Sequence, residues 1–286
     1  MPSVSVVVPA LNEARNIPHV FKRIPSDVHE VVLVDGFSID GTVGVAREIR
    51  PDVRIVRQTR SGKGNALACG VAAATGDIIA LVDADGSADP GEIPRFVEAL
   101  VDGADFAKGS RFLPGGGSSD ITHLRSVGNF FLTTFFNTCY GRNYSDLCYG
   151  FNVFWRQHAP ALGLDADSPP RPDRDGRLWG DGFEIETLIH VRVAQAGLIV
   201  AEVPSFEHAR IHGVSNLNAF RDGRRVLQTI LIERRRTRRP PASTPAIRQP
   251  SHTAIHMPPE IAASPVLAAP PEQRAAGGAD DRRAIR

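Results

Sequence analysis

About the first 110 residues alternate short apolar runs rich in β-branched residues with segments of helical character. The apolar runs include "VSVVVPA", "EVVLVD", "VRIVRQ" and "DIIALVDAD". Such strict alternation indicates βαβ crossovers, in which parallel strands form one sheet and helices cover both of its faces. The sequence therefore predicts an α/β fold with a mainly parallel, Rossmann-like sheet.

Polar side chains stand where several of these apolar runs end. Asn12, Asp35 and Asp83 each follow a predicted strand directly. In open parallel sheets, ligands bind in the crevice beyond the carboxyl ends of the strands. We therefore expect these three side chains to line one ligand site.

The strongest chemical signal is the pair Asp83 and Asp85 in "IALVDADGSADP". Hard divalent ions such as Mg²⁺ and Mn²⁺ take carboxylate oxygens and keep waters and substrate phosphates as further ligands. A purely structural role as a helix cap fits Asp89, which precedes Pro90, better than it fits the pair. The pair therefore predicts a metal site at the end of a buried strand.

A glycine-rich turn, "RSGKGNA", precedes a predicted helix and carries Lys63. Such a turn can offer backbone N–H groups and a lysine charge to phosphate. It is not a Walker loop, because Gly64 stands where a Ser or Thr is required. A nicotinamide enzyme is also disfavoured, because "PALNEARN" replaces the glycine-rich fingerprint after the first strand.

These motifs together resemble a known family. In this order, "VVVPALNE", "VDGFSIDGT", "GKGNALACGVAAATGD", "LVDADG" and "GSRF" are similar to the inverting family 2 glycosyltransferases of the GT-A fold, over roughly residues 3–112. Two later segments, "YSDLCYGFNVFWR" and "EVPSFEHARIHGVSNL", resemble the dolichyl-phosphate mannose synthase branch of polyprenyl-phosphate glycosyltransferases. Two residues depart from the pattern: Gly36 stands in place of a second Asp, and Asn216 in place of a Lys.

The resemblance implies a set of residues that bind the nucleotide-sugar. This set is Pro9, Asn12, Glu13, Asp35, Lys63, Asp77, Asp83 and Arg111. It also implies that Asp83 and Asp85 meet Mg²⁺ or Mn²⁺, with His212 as a further ligand. A solvated loop residue is the alternative for His212. The metal would stabilise the charge that develops on the leaving nucleoside diphosphate.

The catalytic residues depend on the acceptor. A hydroxyl acceptor needs a general base, whereas a polyprenyl phosphate is already anionic. By resemblance Asp146 is the matching acid, while Glu184 and Asp181 in "WGDGFEIE" are rivals. A helix start is an equally good explanation for Glu184 and Glu186. We expect Arg210, like Arg111, to offer a guanidinium group to a phosphate.

Two helical segments are relevant to whether the protein associates with a membrane surface. "HLRSVGNFFLTTFFNTCYG" carries apolar residues at helical spacing, which are typical of a core but also suit a membrane interface. The last predicted helix belongs to a segment, residues 221–239, that holds eight Arg. This pattern suits an anionic lipid surface; no base-reading motif supports nucleic-acid binding.

The chain is expected to form one GT-A domain over residues 1–235, with a nucleotide-sugar half at 1–112 and an acceptor half at 113–235. Residues 236–286, rich in Pro, Ala and Arg, are expected to be disordered. Three cysteines without a CxxC pair, no export signal and no long apolar run favour a cytoplasmic protein, with peripheral association at the inner membrane face.

The sequence thus predicts a metal-dependent inverting glycosyltransferase that moves a sugar from GDP-mannose or a UDP-sugar to a polyprenyl phosphate. One alternative is a soluble family 2 enzyme that glycosylates a hydroxyl of a small molecule or glycan. A nucleotidylyltransferase is disfavoured, because it would carry a glycine-rich loop after the first strand. A non-enzymatic alternative is an inactive protein that only binds partners, against which the intact Lys63, Asp83 and Asp85 argue.

Overall fold

A computed structural model describes residues 1–164, 179–182, 184–213 and 219–237. The strands are β1 (Val4–Ala10), β2 (Glu30–Asp35), β3 (Arg54–Arg57), β4 (Ile78–Leu81), β5 (Phe106–Ser110), β6 (Gly117–Ser118), β7 (Asn152–Trp155), β8 (Val200–Pro204) and β9 (Phe206–Glu207). The helices are α1 (Ile17–Arg23), α2 (Thr42–Ile49), α3 (Lys63–Ala73), α4 (Ile93–Val101), α5 (His123–Tyr140), α6 (Ile185–Gln195) and α7 (Ala219–Thr237). Most of the expected tail, residues 238–286, and Asn216 lie outside the described residues.

Seven strands form the central sheet in the order β3-β2-β1-β4-β7-β5-β8. Every pairing is parallel except those of β7, which runs antiparallel to both β4 and β5. β6 and β9 form a separate parallel pair beside this sheet. The predicted α/β fold with a mainly parallel sheet is confirmed, and the single reversed strand is a feature that the alternating pattern did not predict.

Alternation along β1 explains why the sheet is covered on both faces. Val6 and Val8 point into a core shared with α1, α2 and α4, whereas Val7 points into a second core shared with α3 and α6. Both sets of side chains are fully buried, so β1 reads as a continuous apolar run. Because β1, β2 and β4 are parallel neighbours, their carboxyl ends meet at one edge of the sheet.

A third, smaller core lies where α5, α6 and α7 pack together. Phe136 of α5, Val191 of α6 and Ile230 of α7 are buried in it. The Tyr140 hydroxyl donates a hydrogen bond to the Ile230 carbonyl oxygen at 3.0 Å, which ties α5 to α7. Within the described residues, no helix combines the length and the apolarity that a membrane span requires.

Candidate active site

The loops after β1 and β2 are joined by side-chain hydrogen bonds at the carboxyl edge of the sheet. The Asn12 N–H donates to Ser38 Oγ at 2.9 Å, and the Ile39 N–H donates to Asn12 Oδ1 at 2.9 Å. The Glu13 N–H donates to Thr42 Oγ1 at 2.9 Å. These loops therefore form one rigid wall, which holds the expected nucleoside-binding residues Asn12 and Glu13.

Asp35 ends β2 and lies at the base of this wall. Its side chain is almost fully buried, and Oδ1 accepts a hydrogen bond from the Ser38 N–H at 3.0 Å. Oδ2 lies 4.0 Å from Nε of Arg57. Pro9 lies one residue before the end of β1 and pairs with Val34. The structure therefore brings Pro9, Asn12, Glu13 and Asp35 to the same edge.

Lys63 lies between two carboxylates on the other side of the crevice. Its Nζ is 2.7 Å from Asp83 Oδ1 and 2.5 Å from Glu186 Oε1. Burial works to lower the pKa of Lys63, but these two carboxylates outweigh it and raise the pKa. Burial raises the pKa of Asp83, and the neighbouring Asp85 and Glu186 add to this effect against Lys63. Lys63 is therefore a fixed positive charge in an acidic site.

The glycines around Lys63 are required by a close backbone approach. A Cβ atom on Gly64 would lie 1.6 Å from the Gly180 carbonyl oxygen, and one on Gly62 would lie 2.1 Å from that of Asp181. The Gly64 N–H donates to the Asp181 carbonyl oxygen at 2.8 Å. The Gly64 N–H is therefore bonded to the segment 180–182. The group of this turn that lies in the crevice is the ammonium group of Lys63.

Asp85 has a different cationic partner. Nη2 of Arg210 lies 2.9 Å from Asp85 Oδ2, and Nη1 lies 3.4 Å from Glu13 Oε1. The Ser87 N–H donates to Asp85 Oδ1 at 2.9 Å. Within the described part of the chain, the resulting crevice cluster contains four carboxylates and two cations. Its members are Glu13, Lys63, Asp83, Asp85, Glu186 and Arg210. The cluster has an excess of two negative charges.

His212 is not brought to the aspartate pair. Its ring lies beside that of His19, with the centroids 5.7 Å apart. Among the residues that the structure describes, no three His, Cys, Asp or Glu side chains come together as metal ligands. A metal at Asp83 and Asp85 would therefore need waters and substrate oxygens to complete its shell.

A second group of charges, the buried cluster, lies at β5 and β8. It consists of Lys108, Arg111, Asp146, Glu202 and Glu207. Arg111 donates from Nε and Nη2 to Asp146 at 2.7 and 2.9 Å, and from Nη1 to Glu207 at 3.0 Å. The expected phosphate-binding role of Arg111 is therefore corrected: both sides of its guanidinium group are bound within the protein.

Asp146 is also corrected as a candidate base. Its side chain is 0% exposed. Burial works to raise the pKa of Asp146, but the hydrogen bonds and charge of Arg111 outweigh it and hold the pKa below its usual value. Oδ1 additionally accepts from the Cys148 N–H at 3.2 Å. A buried, ion-paired carboxylate of this kind cannot reach an acceptor hydroxyl.

The rival acids separate clearly at the start of α6. Glu184 accepts hydrogen bonds from the Gly180 and Gly182 N–H groups at 3.1 Å, and so closes the turn that precedes the helix. Asp181 accepts from Nε of Arg60 at 2.6 Å. Glu186, two residues after Glu184, is the acid that reaches Lys63. Glu186 was not among the catalytic candidates that the sequence suggested. Its spacing of two residues from Glu184 places the two acids on different sides of the helix, and this is the signal that could have distinguished them.

Asp77 lies at the wrong end of its strand for the expected role. It precedes β4, and Oδ2 accepts hydrogen bonds from the Ser3 N–H at 2.9 Å and from Ser3 Oγ at 2.8 Å. Asp83 follows the same strand at its carboxyl end. Asp77 therefore joins β4 to the chain start at the edge opposite the crevice, and it is removed from the candidate site.

Comparisons with known proteins agree with this architecture. The family described as "Glycosyl transferase family 2" matches residues 5–163, which is more than half of the chain. An uncharacterized glycosyltransferase of Mycobacterium tuberculosis is 42% identical over 109 residues, which cover 38% of this chain and 49% of that relative's own length. The polyprenol monophosphomannose synthase of Mycolicibacterium smegmatis is 31% identical over 74% of this chain and 80% of its own.

Solved structures show the same fold. The glucosyl-3-phosphoglycerate synthase of Mycobacterium tuberculosis, in complex with Mn²⁺, UDP-glucose and phosphoglyceric acid, superposes with a TM-score of 0.60 at 24% identity. The match covers 82% of this chain and 79% of that one.

Proposed function

The chain belongs to glycosyl transferase family 2, and on that premise we propose that it moves a sugar from a nucleoside-diphosphate sugar to a polyprenyl phosphate. The donor is GDP-mannose or a UDP-sugar. The observation that carries this proposal is the crevice cluster, which places two cations and four carboxylates at the carboxyl edge of the sheet. A nucleotide wall formed by Asn12, Glu13 and Asp35 adjoins it.

The donor set fits a divalent metal. Asp83 and Asp85 offer carboxylate oxygens, which Mg²⁺ and Mn²⁺ prefer. The excess of two negative charges in the crevice cluster matches one such ion. When bound, the metal would act as a Lewis acid towards the leaving diphosphate. Arg210 is paired with Asp85, and its guanidinium group could also contact a phosphate oxygen.

The residues of the chain have separate tasks in the proposed reaction. Asp35 and Asn12 orient the nucleoside, with Pro9 and Glu13 in the same wall. Lys63, held by Asp83 and Glu186, supplies a fixed positive charge beside the diphosphate. Such prepositioned charges are worth most in a site that excludes water, because they need no reorganisation during the reaction. Arg210 is the proposed contact for the phosphate of the acceptor.

The acceptor and the membrane surface are supported by the outer side of α5 and α7. Phe130 and Phe131 are each 66% exposed, and Leu124 and Val127 extend the same apolar surface along α5. On the neighbouring α7, Leu227 and Leu231 are exposed beside arginines that include Arg224 and Arg235. Apolar side chains next to arginines suit the interface of an anionic membrane. The chain is also similar to a polyprenol monophosphomannose synthase.

A soluble hydroxyl acceptor is the second candidate, and one observation favours it. The Glu186 side chain is 30% exposed and lies in the crevice beside Lys63. A carboxylate in this place can take the proton of an attacking hydroxyl, which a phosphate acceptor does not require. Asp146 and Glu184 do not offer this possibility, because the first is buried and the second closes the turn before α6.

One experiment distinguishes these acceptors. The full chain is incubated with UDP- and GDP-sugars and Mn²⁺ or Mg²⁺, with and without a short polyprenyl phosphate, and the release of nucleoside diphosphate is followed. Release that requires both metal and lipid is the expected result. Release only with a hydroxyl acceptor would favour the second candidate. No metal-dependent release with any donor and acceptor would overturn the proposal.

A further inference from the structure

One aromatic residue beside the nucleotide wall has a backbone conformation that stability does not explain. Phe37 follows β2 with φ = +69°, in the left-handed region. Bulky residues are rarely found there, because Cβ crowds the backbone. Asn12 also has a positive φ, of +58°, but asparagine adopts this region readily. Phe37 is thus the unusual member of this pair.

The surrounding loop holds Phe37 in this conformation. The residue after it, Ser38, donates its N–H to Asp35 and accepts from the Asn12 N–H through its hydroxyl. Ile39 donates its N–H to the Asn12 side chain. Strained residues persist when their neighbours fix the backbone in this way, and they are found disproportionately at ligand sites.

The Phe37 side chain gains little from the fold in return. The residue is 50% exposed, and it belongs to none of the buried cores. The Phe37 ring contacts Arg57, whose Cζ lies 5.5 Å from the ring centroid. A contact of this kind at an exposed site is weak. A glycine would fit the backbone better and would lose little packing.

The position of Phe37 suggests what the ring is for. Arg57 joins it to Asp35, since Nε of Arg57 lies 4.0 Å from Asp35 Oδ2. A π-face, a guanidinium plane and a buried carboxylate therefore stand together at the ends of β2 and β3. Planar bases stack on aromatic rings and on guanidinium groups, and their N–H edges donate to carboxylates.

We infer that Phe37, with Arg57, forms the stacking surface for the base of the nucleoside diphosphate. This inference rests on the proposed use of a nucleoside-diphosphate sugar and adds a residue that determines how tightly the base is held. Phe37 would contact the ligand through its ring, whereas the diphosphate would lie beyond it, at Lys63 and Asp85.

The test compares Phe37→Gly, Phe37→Leu and Ile39→Ala with the full wild-type chain. Ile39 is on the same loop and is 93% exposed, so Ile39→Ala is the matched control. Binding of UDP, GDP and inorganic pyrophosphate is titrated calorimetrically with Mn²⁺, and Tm is measured for each protein. Pyrophosphate lacks a base and therefore reports on the diphosphate subsite alone.

Phe37→Gly is expected to weaken binding of the preferred nucleotide roughly tenfold, within the range for base stacking on an aromatic ring. Pyrophosphate binding should be unchanged, and Tm should be equal to or above that of the wild type, because glycine relieves the strain. Phe37→Leu keeps the bulk without the ring and should also weaken nucleotide binding. Ile39→Ala should bind both ligands as the wild type does.

Three results would overturn the inference. Unchanged nucleotide binding in Phe37→Gly and Phe37→Leu would remove Phe37 from the site and leave the proposed function standing. Equal losses for nucleotide and pyrophosphate would mean that Phe37 only shapes the loop. A wild-type chain that binds neither UDP nor GDP would remove the proposed function, and the inference with it.

Discussion

The crevice cluster and the buried cluster are built from the same kinds of side chain, yet they differ in what completes them. In the buried cluster, carboxylates also accept hydrogen bonds from the backbone, as Glu202 does from the Ser145 N–H at 2.9 Å. In the crevice, Asp85 also accepts from the Ser87 N–H at 2.9 Å, but Asp83 and Glu186 meet the ammonium group of Lys63. Backbone donors cannot leave without unfolding a loop, whereas a carboxylate held by a side-chain cation can still accept a further ligand.

The two clusters also differ in how far their carboxylates are exposed to solvent. Asp146 is 0% exposed and Asp83 is 35% exposed at the side chain. An ion pair that is shielded from water stabilises the fold mainly while both partners are present. Removing either partner leaves an uncompensated buried charge. A partly hydrated ion pair can lose a partner and still bind a metal or a phosphate. We therefore expect the buried cluster to control stability and the crevice cluster to control turnover.

The largest expected effect is on the crevice side. Asp85→Ala should lower metal-dependent turnover by about 10³-fold or more, because a Lewis acid at the leaving diphosphate contributes several kcal/mol. Tm should stay within a few degrees of the wild type, since Arg210 remains hydrated. Nucleoside diphosphate release and thermal unfolding measure the two effects. Full activity in this variant would remove Asp85 from the site.

On the buried side, Asp146→Asn should lower the free energy of unfolding by about 3–5 kcal/mol, because Arg111 loses its principal partner in a desolvated position. Asp181→Asn is the matched control. It breaks the pair with Arg60, whose side chain is 40% exposed, and should cost at most about 1 kcal/mol. Urea unfolding measures both variants. Equal losses of unfolding free energy in the two variants would show that burial does not make the Arg111–Asp146 pair more important than the Arg60–Asp181 pair.

A smaller effect on turnover is expected from Glu186→Gln. The change removes one of the two carboxylates that hold Lys63, and misplacing a catalytic group by about 1 Å can cost about 10²-fold. We expect turnover to fall by about 10- to 100-fold with little change in Tm. Glu184→Gln, two residues away, should instead lower stability by about 1 kcal/mol and keep turnover, because its hydrogen bonds from the Gly180 and Gly182 N–H groups lose their charge. The opposite result would place Glu184 in the site.

The smallest expected effect is a pH dependence of stability. The pKa of Asp146 is depressed in the folded protein, so the unfolded state binds more protons as the pH falls. The stabilisation is complete above the ordinary aspartate pKa of about 4 and is lost as the pH falls through the lower, folded value. Unfolding free energies measured from pH 6 down to pH 3 should therefore decline. Asp146→Asn should decline less steeply, and an identical slope would contradict the assignment.

The sequence predicted the fold because the alternation of strands and helices is a local property of each segment. It did not predict the direction of β7, because the run "NVFW" looks the same in a parallel or an antiparallel position. Asp83 and Lys63 could be selected because each stands at the end of its own element. The fold class and these two residues could be predicted because the patterns that indicate them are formed by residues adjacent along the chain.

The remaining site residues depend on contacts that sequence spacing does not contain. Glu186 and Lys63 are 123 positions apart, so their pairing could not be inferred from either segment. Arg111 and Asp146 each belong to a recognisable motif, but the motif does not tell whether a charge faces solvent or another charge. Asp77 was misplaced because an acid before a strand and an acid after it look alike until the strand direction is known.

The reversed strand β7 also sets the order in which the sheet can be completed during synthesis. β1 to β4 lie next to one another in the sheet and leave the ribosome first, so they can pair as they emerge. β5 emerges next, but its two neighbours are β7 and β8, and the last of these ends at Pro204. At about 5–20 residues per second, Phe106 waits on the order of 5 to 20 s for both partners. A nascent chain stalled in that interval would expose an unpaired apolar edge, which is the kind of surface that chaperones bind.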